Sequence, residues 1–159
     1  MRTEPRERIH RDALTVWRIT GVIGGVIACL IAIGLFVIAF FTGMPMWIAV
    51  TVACLALLFS YISIGPEPTI RWRRWRYEVT EDEIDLQRGV LVVKRTLVPM
   101  VRVQHVDSKQ GPILRKYGLA TVTISTAATT HEIPALSEED AAALRDRIAE
   151  LARVDDDNV

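Results

Sequence analysis

Three histidines, two cysteines and one crowded set of carboxylates are the side chains in this sequence that could carry acid–base, nucleophilic or metal chemistry. His10 lies in a basic N-terminal stretch, while His105 and His131 fall in predicted strands far apart along the chain. By strand alternation His105 shares a face with Val101 and Val103, which reads as a hydrogen-bonded structural histidine rather than a ligand or base. The His-Glu-x-x-His spacing of zinc hydrolases, the Gly-x-Ser-x-Gly elbow and glycine-rich phosphate loops are all missing from the sequence. Glu81, Asp82, Glu83 and Asp85 read as a solvated turn and strand edge, not as an acid/base pair. Cys29 and Cys54 sit inside long apolar runs, without metal-like spacing and with little access to oxidant, and read as small packing residues. The expectation is a protein that is not an enzyme, with no catalytic residue, cofactor or metal.

Binding chemistry is better represented. Arg71, Trp72, Arg73, Arg74, Trp75 and Arg76 form a run of four arginines and two tryptophans. Lys94-Arg95 with Arg102, and Arg115-Lys116, make two more basic clusters. Aromatic stacking beside charge would suit nucleic acid. Against that, residues 66–159 hold 14 basic and 16 acidic residues, so this part is slightly acidic and no nucleic-acid partner is expected. Anionic lipid is the better match, since a basic residue near an anionic leaflet gains about 1 kcal/mol. Arg71, Trp72, Arg73, Arg74, Trp75, Arg76, Arg115 and Lys116 are therefore candidate lipid or membrane-surface contacts. The plainer reading is that the arginines fix the orientation of a membrane anchor while Trp72 and Trp75 rest near the headgroups.

That anchor is visible upstream. From Ile19 to Pro66 no residue carries a formal charge, and the stretch divides into apolar runs 19–41 and 46–64 around Thr42-Gly43-Met44-Pro45. As helices they would span about 34 Å and about 28 Å, close to the roughly 30 Å of a bilayer's hydrocarbon core. The first is much longer than the roughly 7–15 residues of a signal-peptide core, so two spans are expected rather than a cleaved leader. Basic residues flank the pair on both sides and the connecting loop has no charge, which places both termini in the cytoplasm and the protein in the cytoplasmic membrane. Small residues mirror one another about the turn. Gly25 with Ser63, Ala28 with Ser60, Ala32 with Ala56 and Ala39 with Ala49 are the expected seam of an antiparallel hairpin. No ionisable residue lies inside either run, so an anchor or docking surface is expected rather than a transport path.

Beyond Trp72 the pattern turns to short β-like runs: Trp75-Tyr77-Val79, then 83–88, 91–98, 101–108, 119–126 and 129–133. Turn signals at Glu81-Asp82, Gly89, Pro99 and Gly111-Pro112 separate them. A short helical turn over 113–117 ends at Gly118. After Pro134 the period becomes helical. Ser137 can cap, Glu138, Glu139 and Asp140 suit the positive end of the dipole, and Ala141, Leu144, Ile148 and Leu151 make one apolar stripe. The organisation read from the chain is a basic cytoplasmic tail (1–18), a transmembrane hairpin (19–64), a β-rich domain (66–154) and an acidic tail (155–159).

Two spans, the basic aromatic run, Tyr77-Glu78-Val79-Thr80, Gly89 to Leu97, Pro99 with Val103-Gln104-His105-Val106, Gln110-Gly111-Pro112, Tyr117-Gly118-Leu119 and His131-Glu132-Ile133-Pro134 follow one another in an order. That order resembles the bacterial pleckstrin-homology-like (PH-like) membrane-flanked proteins of the YdbS-like family, over about residues 17–154. Pro99, Val103, Gln104, His105, Gly111 and Gly118 are the residues that carry the pattern. The resemblance implies an α+β membrane protein: a two-helix hairpin followed by a split β-barrel of about seven strands capped by a C-terminal helix. It also implies a scaffold or regulator acting with another membrane protein, a related multi-domain PH-like protein being the natural partner, with self-association a further expectation. Envelope stress and bacteriocin tolerance are the processes it suggests. The alternatives are an anionic-lipid-sensing module and, less in keeping with the residues, a membrane-bound enzyme.

Overall fold

A chain segment without charge can cross lipid only if its backbone polar groups are satisfied internally, and helices do this. In the computed structural model, which describes residues 4–156, that segment forms helix α1 (Ala13–Thr42) and helix α2 (Met46–Ile64), both long and apolar enough to cross a membrane. Gly43 takes φ +70° in the turn between them, and Pro45 sets the start of α2. Helix α1 begins ahead of the apolar run because Ala13 N–H already donates to the His10 carbonyl at 3.2 Å.

The region Leu14–Ile70 is one compact unit. Gly25, Ala32, Ala39, Ala49 and Ala56 are buried in it, while Leu30, Phe40, Leu57 and Tyr61 face outward. The seam is built of the expected small residues, but its register differs away from the turn. A Cβ on Gly25 would lie 2.8 Å from the Ser60 hydroxyl oxygen, and one on Gly21 would collide with the Ser63 carbonyl. Gly25 thus faces Ser60 rather than Ser63, displacing the expected Ala28–Ser60 pair, and Gly21 meets Ser63. The reason is steric: at Gly21 no Cβ separates the backbones, and the helices approach there too closely for any side chain.

The second unit joins the residues up to Ala13 with those from Arg71 onward. Its strands are β1 (Glu7–Arg8), β2 (Arg76–Val79), β3 (Glu83–Arg88), β4 (Lys94–Pro99), β5 (Val103–Lys109), β6 (Leu119–Thr126) and β7 (Thr130–Ser137). They form two antiparallel sheets, β1-β2-β3-β4 and β5-β6-β7. Seven strands in two sheets that share no ladder among the described residues make the expected split barrel, open rather than closed. Helix α3 (Pro66–Arg74) leads into β2, helix α4 (Pro112–Lys116) lies between β5 and β6, and helix α5 (Glu138–Asp156) packs on the three-stranded sheet. Ser137 caps α5 as its position suggests, accepting from Asp140 N–H at 3.0 Å. Ala141, Leu144 and Ile148 of α5 are buried, as are Val122, Ile124 and Ile133 of the sheet and Ile84, Leu86, Val98 and Met100.

Several local readings shift. The stretch read as a basic tail supplies β1, with Glu7 opposite Tyr77 and Arg8 opposite Arg76. Residues 1–3, with Arg2, lie outside the described residues, as do 157–159 of the acidic tail; 155 and 156 still belong to α5. The strand expected from residue 91 starts at Lys94, because Gly89 at φ +141° begins a tight loop in which any Cβ would strike the Val92 carbonyl. The strand expected from residue 101 starts at Val103, after a 3-10 turn over Met100–Arg102. Strand β7 runs past Pro134 because the register shifts there, leaving Ala135 at φ +52°, its carbonyl accepting from His10 N–H at 3.0 Å. A bulge is where a strand tolerates proline.

Candidate membrane-facing surface and the cleft along strand β4

The arginine-tryptophan run divides among three tasks. Arg71, Arg73 and Arg74 occupy the last turn of α3, with Glu67 in the first, an arrangement that complements the helix dipole. Arg71 and Arg73 are exposed, whereas Arg74 is half-buried and donates to the Val90 carbonyl in the loop after β3. Trp72 donates from its indole N–H to the His10 carbonyl at 3.2 Å, with the Arg8 guanidinium 5.9 Å from its ring. Trp75 is only 3% exposed. Burial takes Trp75 out of any lipid-contacting surface, and Trp72 is turned to the N-terminal segment rather than free at the headgroups. Arg76 lies 3.5 Å from the Glu4 carboxylate, and Arg6 lies 3.6 Å from Glu78 on the next pair along. Tyr77 is buried beneath this seam. Burial pushes its phenol well above the ordinary range, and the hydrogen-bonded Glu7 carboxylate and Asp140 push the same way.

Arg115 and Lys116 are exposed at the end of α4, beside β6 in the other sheet. They are therefore a patch separate from the α3 arginines, not part of one pocket with them. In the remaining cluster, Arg95 is committed. Its Nε donates to Asp85 Oδ1 at 3.0 Å and to Oδ2 at 2.9 Å, its Nη2 also reaches Oδ2, and this bonding raises the guanidinium pKa further. Asp85 is 7% exposed, so the pair covers a carboxylate the sequence suggested was solvated.

The residues of the family pattern have structural tasks. Pro99 ends β4, and Gly111 is the extended N-cap of α4 with Pro112 at its start. Gly118 turns the chain at φ +62° and accepts from Glu138 N–H at 3.1 Å. Val103 opens β5, and the register slips between it and His105. The slip removes His105 from the expected face: it is exposed, with Nε2 3.2 Å from the Asp107 carboxylate. Gln104, exposed beside it, reaches a cleft.

That cleft, of about 570 Å³, was not foreseen. It is lined by Thr96, Leu97, Val98 and Pro99 of β4, by Arg102, and by His131 of β7 with the loop before it. Four consecutive residues of one strand can line a cavity only if it opens along the strand's edge, since alternate side chains point to opposite faces. His131 Nε2 lies 2.9 Å from the Thr129 hydroxyl. Its Nδ1, like the Thr96 hydroxyl, is buried without a hydrogen-bond partner. Desolvation, then Arg88 and Lys94, lower the His131 pKa. The lining contains no Asp or Glu, and His105 lies on a different groove, against α5. Among the described residues no three His, Cys, Asp or Glu gather as a metal site would require.

The family model described as Bacterial PH domain matches residues 18–152. The chain is 50% identical over 159 residues to "UPF0699 transmembrane protein YdbS" of Bacillus subtilis (strain 168), covering 100% of both sequences. It is 26% identical over 98 residues to "UPF0699 transmembrane protein YdbT" of the same organism, covering 59% of this chain and 20% of that one. No solved structure matches.

Proposed function

Because the chain belongs to the bacterial PH domain family and is a membrane protein, we propose that it is a non-enzymatic scaffold or regulator, holding its PH-like domain at the cytoplasmic face for another membrane protein. The observation that carries this reading is the open edge of β4. The four-stranded sheet ends there, and the cleft runs along Thr96–Pro99. An unpaired edge offers backbone N–H and C=O groups to an extended segment of a partner, and exposed Leu97 and Val101 offer it apolar contacts. Partial similarity to the longer YdbT supports a relative of that kind as the partner. The union of residues before α1 with residues after α2 in one unit supports both termini lying on one side, and the basic flanks support that side being cytoplasmic.

Gentle extraction of the full-length protein from its native membranes, with mass spectrometry of whatever co-purifies in stoichiometric amount, tests the reading. A membrane protein that is retained by the native chain and lost from Leu97→Asp would support it and would name the process. Recovery of the protein alone, or with anionic lipid only, would overturn it and favour a lipid-binding module using either the exposed α3 arginines Arg71 and Arg73 or the separate Arg115–Lys116 patch.

A further inference from the structure

The loop joining β3 to β4 is built unlike the other hairpin turns of the domain. The β2–β3 turn carries Thr80, Glu81 and Asp82, and the β6–β7 turn carries Ala127, Ala128 and Thr129. Between Arg88 and Lys94 the sequence is Gly89-Val90-Leu91-Val92-Val93. Leu91 is 94% exposed, Val92 79% and Val93 47%. Hairpin turns ordinarily carry polar residues and glycine, and contiguous exposed apolar side chains mark an interaction site. The core does not need these residues, since Ile84, Leu86 and Val98 already fill it from the flanking strands.

The tip is also held in place. Gly89 at φ +141° folds the backbone tightly against Val92, and Arg74 donates to the Val90 carbonyl. Arg74 is in the last turn of α3, which follows the second membrane-spanning helix directly in the chain. Charge flanks the apolar tip: Arg88 stands before it and Lys94 after it, and neither makes an ion pair among the described residues. Apolar side chains ringed by uncompensated cations match the boundary between anionic headgroups and acyl chains.

We propose that Leu91, Val92 and Val93 form a wedge that inserts into the anionic leaflet of the membrane this protein spans, with Arg88 and Lys94 at the headgroup level. The domain then touches the bilayer at a point separate from its covalent anchor. This stands apart from the docking role of the β4 edge and holds whether or not a protein partner exists.

The test uses the full-length chain with Cys29→Ala and Cys54→Ala, carrying Leu91→Cys labelled with an environment-sensitive fluorophore, in phosphatidylglycerol-containing vesicles. Ala143→Cys, on the exposed face of α5, serves as the control site. The label at 91 is expected to shift to the blue, to lose emission to nitroxide-bearing lipid and to resist aqueous iodide, while the label at 143 does the reverse. Arg88→Gln with Lys94→Gln should reduce the lipid quenching, as should replacing phosphatidylglycerol with phosphatidylcholine. A label at 91 that stays open to iodide would overturn the proposal. So would one shielded from iodide yet untouched by lipid nitroxide, which would mean that a second copy of the chain covers the tip.

Discussion

The indole of Trp72 and the carbonyl of His10, 62 residues apart in sequence, are joined by a 3.2 Å hydrogen bond across the two segments that flank the hairpin. Ile9 beside it is 3% exposed, and β1 extends the four-stranded sheet at the same place. The N-terminal segment is thus part of the domain. Ile9→Asp would bury an unpaired charge and should cost about 3 kcal/mol. Trp72→Phe, which loses the hydrogen bond and part of the ring beside Arg8, should cost about 1–2 kcal/mol. Limited proteolysis of the solubilised protein over a denaturant series would rank the two, and equal resistance of Ile9→Asp and the native chain would show the segment to be dispensable.

The same union has a topological consequence. Single cysteines replacing Arg6 and Lys116, in the chain lacking Cys29 and Cys54, should react with an impermeant maleimide from the same side of the membrane and only after the cell is opened. Labelling of the two from opposite sides would contradict the fold.

At Gly21 α1 and α2 lie too close for a side chain: an added Cβ would meet the Ser63 carbonyl oxygen and, at 2.9 Å, its carbon. Backbone cannot retreat as a flexible side chain can. Gly21→Val should therefore destabilise the hairpin by about 1–3 kcal/mol. At Gly34 an added Cβ would meet nothing within 4 Å, so the same change should be accepted freely there. Thermal unfolding in detergent would compare them.

Asp85 is covered and Arg95 is its partner. Arg95→Met leaves a carboxylate sheltered from water without a counter-charge, so it should lower the melting temperature more than the double change Asp85→Leu with Arg95→Met, which removes both charges together. If the double variant melts below the single one, the pair is acting through something other than mutual neutralisation.

His131 gives a pH dependence of known sign. Its folded-state pKa lies below the ordinary imidazole value of 6.5, because of burial first and then Arg88 and Lys94. The unfolded chain therefore takes up the proton first. The contribution is whole above that ordinary value and is lost as pH falls through the folded-state value. Melting temperatures of His131→Gln should fall less steeply with acidification than those of the native protein. An NMR titration placing the His131 ring above the ordinary value would reverse the prediction.

Much of this could be read from residue types, and what could not has identifiable causes. The uncharged stretch from Ile19 to Pro66 announced two spans, the β-branched run 119–126 announced β6, and Ser137 with its three following acids announced α5. Strand β1 could not be read, because Glu7 and Arg8 have no periodicity and acquire strand geometry only by pairing with distant Tyr77 and Arg76. Trp75 hid its burial among arginines, although it begins the apolar alternation with Tyr77 and Val79. His105 misled because alternation assumes an unbroken ladder, and the slip after Val103 breaks it. The cleft was invisible for a related reason: His131 and Thr96 belong to different sheets, and nothing local to either records the other.

The strand before the hairpin bears on the order in which the protein folds. Pairing Glu7 with Tyr77 is a contact of high sequence separation, the kind that slows folding because a long loop must first close. In a free chain each doubling of that loop would add about 0.6 kcal/mol of entropy cost. Here the intervening residues include two antiparallel helices in which Gly21 faces Ser63, so the folded hairpin itself shortens the loop that must close. A chain that inserted only one span would leave β1 and β2 on opposite sides of the bilayer, unable to pair. The β1–β2 ladder therefore ties the two ends of the hairpin to a single compartment.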